Sequence, residues 1–375
     1  MRAKVVAALC MMMTGLTGCI TGGKQFAYVI GPSTNEVFQF QILSNGQLTA
    51  LTPNNFPGGP TPVSVVIHTS GLFAYVANFA GNAVTLLAVN RGNGQLTVPV
   101  NTNPIPPPTP ANVFNTGTGP IALAQSPAGT FLFVANQGSG DIDAFSIDQS
   151  TGNLGFLAAT AIVQQPSPPA PPVPGAHPNS MAISPNGNLL LTADPVLGEV
   201  AAFSVDSNGG LTEVAGSPFV IGGGATPTFI TVDPSSRFAY VSDPAHNSIL
   251  GFSMQSNQLT PIPGSPFAAG TQPLGMTLSP QGAVLYVANR GSNNVSAFVI
   301  DSNSGALATV PGSPFATAGQ GPNFVAASST FVYVTDQTTN DVSAFTIGAN
   351  GALSPVTGSP FNVATSPLSI TLVSQ

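Results

Sequence analysis

One short segment recurs seven times along this chain and restricts its fold more than any other feature. It reads Phe26-Ala-Tyr-Val, Phe73-Ala-Tyr-Val-Ala-Asn, Leu132-Phe-Val-Ala-Asn, Leu190-Leu-Thr-Ala-Asp, Ala239-Tyr-Val-Ser-Asp, Leu285-Tyr-Val-Ala-Asn and Val332-Tyr-Val-Thr-Asp. Self-similarity at a fixed period marks a repeat architecture, in which each copy is one unit that cannot bury its apolar faces alone.

Each copy is followed by an alternating strand such as Val295-Ser-Ala-Phe-Val-Ile, and then by a turn such as Asp301-Ser-Asn-Ser-Gly or Gly348-Ala-Asn-Gly. Asn and Gly tolerate the positive φ that tight hairpins require. The next strand ends in Gly-Ser-Pro-Phe, beginning at Gly216, Gly264, Gly312 and Gly358. A further apolar strand, such as Leu274-Gly-Met-Thr-Leu-Ser, meets a turn such as Pro280-Gln-Gly before the pattern restarts. Four strands at a period of about 47 residues predict an all-β, seven-bladed β-propeller with four antiparallel strands per blade. The 41 Gly and 37 Pro argue the same way, against long helices and for many turns.

The first unit begins at what would be its second strand. Leu368-Ser-Ile-Thr-Leu-Val, near the C-terminus, is the segment that can supply the missing inner strand. The C-terminal strand then closes the ring on the N-terminal blade and leaves no open sheet edge at the seam.

Two steps break the period: Tyr75 to Phe133 and Phe133 to Leu191 are each 58 residues. The extra residues fall in the Pro-rich stretches 104–119 and 164–178. Such stretches favour extended polyproline conformations and resist sheet pairing. Both are expected to join an outer strand to the next inner strand, on one face of the disc. There they would either wall the mouth of the central channel or decorate the surface.

Only 5% of the residues are charged, and the net charge is −7. A basic face for phosphate backbones is absent, which excludes nucleic-acid binding by the usual electrostatic route. No Gly-x-Ser-x-Gly, Gly-Lys-Ser/Thr or His-Glu-x-x-His pattern occurs, so serine-esterase, nucleotide and zinc-protease readings have no anchor and no cofactor is called for. Asp141-Ile-Asp143 lacks the further ligands of a calcium loop and reads as a solvated turn.

Residues 1–18 have the order of a secretory signal: Arg2 and Lys4, then an apolar run, then small residues. Leu16-Thr17-Gly18-Cys19 resembles the lipobox of bacterial lipoproteins. That resemblance implies cleavage before Cys19, acylation of its thiol, a short tether over residues 19–25, and a single propeller from residue 26 to 375. The expected place is the bacterial cell envelope, held to a membrane by the lipid. Cys10 lies inside the signal, so no intrachain disulfide survives. Lys24, Arg91, Arg237 and Arg290 are then the only bases.

The Tyr-Val-Ala-Asn cores, the run Asn289-Arg-Gly-Ser-Asn-Asn-Val-Ser-Ala-Phe and the Gly-Ala-Leu turns resemble the YVTN-type, lactonase-like seven-bladed propellers, whose best-known enzyme member is the propeller form of 6-phosphogluconolactonase. In the enzyme branch a His-rich segment leads into the fourth blade, and Asn-Arg-Gly-His-Asp-Ser-Ile-type loops line the mouth. Here Gly175-Ala-His-Pro-Asn-Ser keeps His177 but has Asn179 in place of a second His. Asp243-Pro-Ala-His-Asn-Ser-Ile keeps His246 without the Arg, and Asn289-Arg-Gly-Ser keeps Arg290 without the His.

Opening a lactone needs a base to activate water and a cation or donors for the oxyanion. His177, His246 and Arg290 should share the loop-rich face, with Asp194, Asp243 or Glu199 able to orient a His or act as base. Asp194 and Asp243 also occupy positions where Asn78, Asn136, Asn289 and Asp336 cap turns in other blades. His68 falls in a turn of the opposite face. Two functions follow. The incomplete motifs favour an envelope-anchored binding module for a small polar ligand, a glycan or an envelope protein. The resemblance implies a sugar-lactone hydrolase, for which an unphosphorylated substrate suits an exported protein with one available Arg.

Overall fold

The computed structural model describes residues 23–99, 112–162, 175–255, 257–363 and 365–375. The signal-like segment, Cys19, half of the first Pro-rich stretch and most of the second lie outside the described residues. The described chain is all strand and turn, arranged as seven four-stranded antiparallel sheets, with a short extra outer segment in five of them. None of its elements is a helix long and apolar enough to cross a membrane.

In blade 1 the strands run from outer to inner as Leu48–Pro57, Glu36–Ile42, Gln25–Gly31 and Ile370–Ser374. The last pairs with the first blade in the register Gln25↔Ser374 to Val29↔Ile370. Backbone bonds from Ile30 to Ser369 and from Leu368 to Ile30 extend the pairing. The ring therefore closes as the sequence predicts.

The repeated segment is the second strand of each blade: Phe73–Asn78, Phe131–Asn136, Leu189–Asp194, Phe238–Asp243, Val284–Asn289 and Phe331–Asp336 in blades 2 to 7. Five of these six are buried along their whole length. The reason is the two-residue period of a strand that lies between two neighbours. Val332 and Val334 pack with Tyr286 and Ala288 of blade 6, whereas Tyr333 between them packs with Ala27 and Val29 of blade 1. Each strand thus reads as an unbroken apolar run because both of its faces are core.

The Gly-Ser-Pro-Phe motif interrupts the outer strand of blades 4 to 7 and splits it in two. Its serine hydroxyl accepts the third-strand N–H left unpaired by the break: Ala202 to Ser217, Gly251 to Ser265, Ala297 to Ser313 and Ala344 to Ser359, at 2.9–3.0 Å. Its phenylalanine then rejoins the sheet, as Phe361 does opposite Val342.

One sequence expectation is corrected. The first Pro-rich stretch does not run from an outer strand to the next blade. Val113–Asn115 returns to the edge of blade 2 and pairs with Ala83–Thr85, so the chain leaves that edge after Leu96–Thr97 and rejoins it at Val113–Asn115. The link to blade 3 is the short segment 116–119. An Asn at residue 112 holds this return, donating its amide to the Leu86 carbonyl at 3.0 Å.

Candidate functional site

On one face of the disc, each blade presents the turn between its second and third strands beside the lead-in segment of the next blade. In four blades a turn Asn in the left-handed region reaches that segment. Asn35, Asn82, Asn247 and Asn293 accept the N–H of Thr61, Gly119, Gln272 and Gly321 through their side-chain oxygens, at 2.8–2.9 Å. Blades 3 and 4 have Gly140 and Gly198 in that place. A Cβ at Gly140 would stand 2.7 Å from the Ala176 carbonyl, so glycine lets the lead-in segment settle directly on the turn. The donors then turn to their own blade: His177 N–H to Asp194 Oδ2 at 2.5 Å, and Thr226 N–H to Asp243 Oδ1 at 2.9 Å.

This arrangement builds a dyad in blade 5. Asp243 is 1% exposed, and Thr226 occupies one of its oxygens. The other lies 2.6 Å from His246 Nδ1, and the His246 side chain is 48% exposed. Thr226 also ties the loop down, its hydroxyl accepting the Ala245 N–H at 3.1 Å and donating to Asp243 Oδ1 at 3.4 Å. A buried carboxylate on Nδ1 holds the proton on that nitrogen and leaves Nε2 as the acceptor.

Arg290 stands in the equivalent turn of blade 6. Gln272 bridges the two turns, donating its N–H to Asn247 Oδ1 and accepting the Arg290 N–H at its carbonyl, both at 2.9 Å. The other bases are engaged on the opposite face: Lys24 on the Gly92 carbonyl, Arg91 on that of Ser70, and Arg237 on that of Ser302 while stacking on Phe238. Arg290 is exposed and, among the described residues, is the one base of the dyad's face.

The remaining candidates separate. His177 is half-buried, its Nδ1 3.2 Å from the Gln137 carbonyl. Asp194 accepts the N–H groups of Val196 and Leu197 besides that of His177, so its carboxylate works as a turn cap and contacts the His177 backbone. Glu199, opposite Asp194 in the ladder, is 6% exposed with Oε1 unpartnered. Burial, with the charges of Asp194 and Glu213, pushes it up to about 7. His68 lies on the far face, buried between Ser70 and the Gly129 carbonyl, and burial lowers its pKa.

Asp143 is buried at 2%, contrary to the solvated turn expected; it accepts the Gly117 N–H and the Asn136 amide. Burial raises its pKa. Among the described residues no cluster of three or more His, Cys, Asp or Glu is placed to hold a metal.

A carboxyl pair in blade 7 escaped the sequence reading. In blades 3 and 6 the second strand ends in Asn136 or Asn289, whose amide donates at 2.8 Å to Asp141 or Asn294. Blade 7 sets Asp336 against Asp341 instead, each with Oδ1 lacking a partner other than its twin. Burial raises both, and the charge of Asp341 raises Asp336 further, whereas the hydrogen bond with Asp336 lowers Asp341, so a proton on Asp336 takes the place of the amide hydrogen. The substitution of Asn by Asp at 336 was the available signal.

The inner strands enclose a central channel of about 650 Å³. Its lining includes Asn179, Thr228 and Leu274, each two residues beyond His177, Thr226 and Gln272. The holder Thr226 and the Gln272 bridge therefore lie within about 7 Å of the channel lining along the chain, and the dyad is tied to that rim through Thr226. No charged residue is among those lining the channel.

The family model described as lactonase, 7-bladed beta-propeller matches residues 23–170 and 174–325. The chain is 24% identical over 149 residues to the 6-phosphogluconolactonase of Bacillus subtilis and 25% identical over 173 residues to that of Formosa agariphila. These alignments cover 38% and 45% of the chain, and only 40% and 43% of the relatives' own length. A candidate 6-phosphogluconolactonase from Bacteroides fragilis superposes with a TM-score of 0.74 at 21% identity, over 95% of this chain and 99% of that one. The periplasmic gluconolactonase of Pseudomonas aeruginosa gives 0.74 at 19% identity, over 93% and 99%. At these identities the likeness is one of fold.

Proposed function

The chain belongs to the seven-bladed β-propeller lactonases, and from that membership we propose that it hydrolyses an uncharged lactone at the mouth of its channel. The observation that carries this reading is the Asp243–His246 contact, a buried carboxylate fixing an exposed imidazole at 2.6 Å. His246 Nε2 takes a proton from water, and the resulting hydroxide adds to the lactone carbonyl. Arg290, one bridging residue away, faces the oxyanion. Collapse breaks the ring C–O bond, and the imidazolium returns its proton to the ring oxygen, giving a hydroxy acid.

An unphosphorylated substrate suits the electrostatics. One arginine shares this face with Asp141, Asp194, Asp243, Asp336 and Asp341, a poor setting for a phosphate dianion. The periplasmic gluconolactonase among the structural neighbours acts in the compartment that the signal-like N-terminus points to. In this reading the chain is exported and acylated at Cys19, which radiolabelled palmitate incorporation, lost in Cys19→Ser, would test.

The decisive measurement is hydrolysis of glucono-δ-lactone by the wild type, His246→Ala and Arg290→Ala. His246→Ala should lose about 10²- to 10⁴-fold in kcat, and Arg290→Ala about 10²- to 10³-fold. Turnover unchanged in both variants rules out this site; no turnover above the spontaneous rate leaves the propeller as a binding module.

A further inference from the structure

The channel beneath the site takes no part in the chemistry just described. Its volume, about 650 Å³, falls in the range of small-molecule sites, roughly 300–1,000 Å³. Ile121, Leu274 and Leu368 reach into it near the mouth and Leu278 and Leu372 deeper, each only half-buried. Ser64, Ser180, Thr228, Thr277 and Ser369 alternate with them around the wall, so the passage is uncharged and mixed in polarity, and a ligand gains where its apolar part displaces water from the leucines.

An aromatic pair shapes the upper part. Phe229 of blade 5 and Phe324 of blade 7 meet edge to face, 5.2 Å between centroids, across the inner strand of blade 6. They can do so because residue 275 between them is glycine: a Cβ there would lie 2.8 Å from the Phe324 Cα and 2.7 Å from the Asn323 carbonyl oxygen. Thr231 lies deeper in the same lining, and Met276 beside it is buried in the packing between blades 5 and 6.

We infer that this channel receives an aliphatic substituent of the lactone, so that the substrate is a neutral lactone with an apolar tail. The inference rests on the lactonase reading for the head group and on the channel for the tail. Continuity supports it. The segments carrying His177, Thr226 and Gln272 become channel lining two residues later, so the segment that holds the dyad's loop opens onto the channel. Charge supports it too, since an uncharged lining under an acidic face discriminates against anionic ligands.

The test compares kcat/KM of the full chain along a series from δ-hexalactone to δ-dodecalactone, with glucono-δ-lactone beside it and calorimetric binding of 1-decanol as a non-reacting probe. The expected result is a rise of about three- to fourfold per added methylene until the channel is filled, and saturable decanol binding that competes with the longer lactones. Thr231→Phe, inside the channel and away from the dyad, should flatten the series and leave glucono-δ-lactone turnover unchanged. A flat series in the wild type, or no saturable decanol binding, overturns the inference whether or not the variant folds. Decanol binding that Thr231→Phe abolishes, with no turnover of any lactone, would uphold the channel and reject the lactonase reading.

Discussion

The hydroxyl of Tyr333, in the second strand of blade 7, donates to the carbonyl of Gly46, in a turn of blade 1, at 3.0 Å and across 287 residues of sequence. The other four tyrosines of the chain do the same for their own neighbours: Tyr28 to Gly94, Tyr75 to Gly152, Tyr240 to Gly305 and Tyr286 to Gly351, at 2.6–3.0 Å. Each glycine holds a positive φ in the hairpin between third and fourth strands. The latch is missing where Phe133 and Leu191 replace tyrosine, from blade 3 to 4 and from blade 4 to 5. Gly140 and Gly198 remove the Asn latch of the other face at the same two junctions.

Restoring one latch should stabilise the ring. Phe133→Tyr aims a hydroxyl at the carbonyl of Gly209, the equivalent hairpin glycine, and is expected to gain about 0.5–1.5 kcal/mol. Tyr333→Phe strands a buried carbonyl and is expected to lose about 1–3 kcal/mol. Urea denaturation measures both, and equal destabilisation by the two changes would sink the latch account.

Blade 4, lacking both latches on both sides, should open first. In native-state hydrogen exchange the amides of Leu189–Asp194 are expected to exchange sooner than those of Val284–Asn289, its counterpart in blade 6. Equal protection of the two strands would contradict this.

Ring closure makes the C-terminus structural. Deleting residues 368–375 removes the inner strand of blade 1 and uncovers the edge of Gln25–Gly31. The expected outcome is a lower melting temperature for the whole protein in a single cooperative transition, read by circular dichroism. An unchanged midpoint would show that the seam carries no load.

Stability should fall as the solution becomes alkaline. Asp336 and Glu199 have folded-state pKa values raised from the ordinary carboxylate range to about 7, so the native state keeps protons that the unfolded chain releases. Their contribution is full below about pH 4 and is lost as pH rises through about 7. Asp336→Asn restores the amide contact of blades 3 and 6 and should raise the melting temperature at about pH 8 by a few degrees, with little effect at about pH 5. A gain of equal size at both pH values would refute the proton on Asp336.

Thr226 is a positioning residue for the dyad. Thr226→Val keeps the backbone bond to Asp243 but loses the hydroxyl that ties down Ala245. Lactone hydrolysis should drop about tenfold to a hundredfold in kcat, with little change in KM and an unchanged melting temperature. Thr226→Ser should recover most of the loss.

The blades were legible because their determinants are local. A run such as Val332-Tyr-Val-Thr-Asp, a hairpin such as Asp301-Ser-Asn-Ser-Gly and a fixed spacing need no knowledge of what packs where. The candidate site was legible in part: His246 and Arg290 stand out in the sequence as rare bases in turns of one face, and Asp243 stands out beside its histidine. Asp194 carried the same local signature as Asp243, yet its oxygens are taken by Val196, Leu197 and the His177 backbone.

What divides the two aspartates is the second oxygen. The segment arriving from the preceding blade takes one oxygen of each, through Thr226 and His177, and the other meets the His246 ring in blade 5 but the Val196 and Leu197 N–H groups in blade 4. Strand order, blade number and the closing strand follow from periodicity and turn chemistry, which the sequence alone determines. Which tyrosine finds a carbonyl depends on groups from 65 to 287 residues apart, and which turn aspartate is buried against its neighbours depends on the lead-in segments and blades packed around it. Only the packing of blade on blade brings these together, so only the tertiary structure decides them.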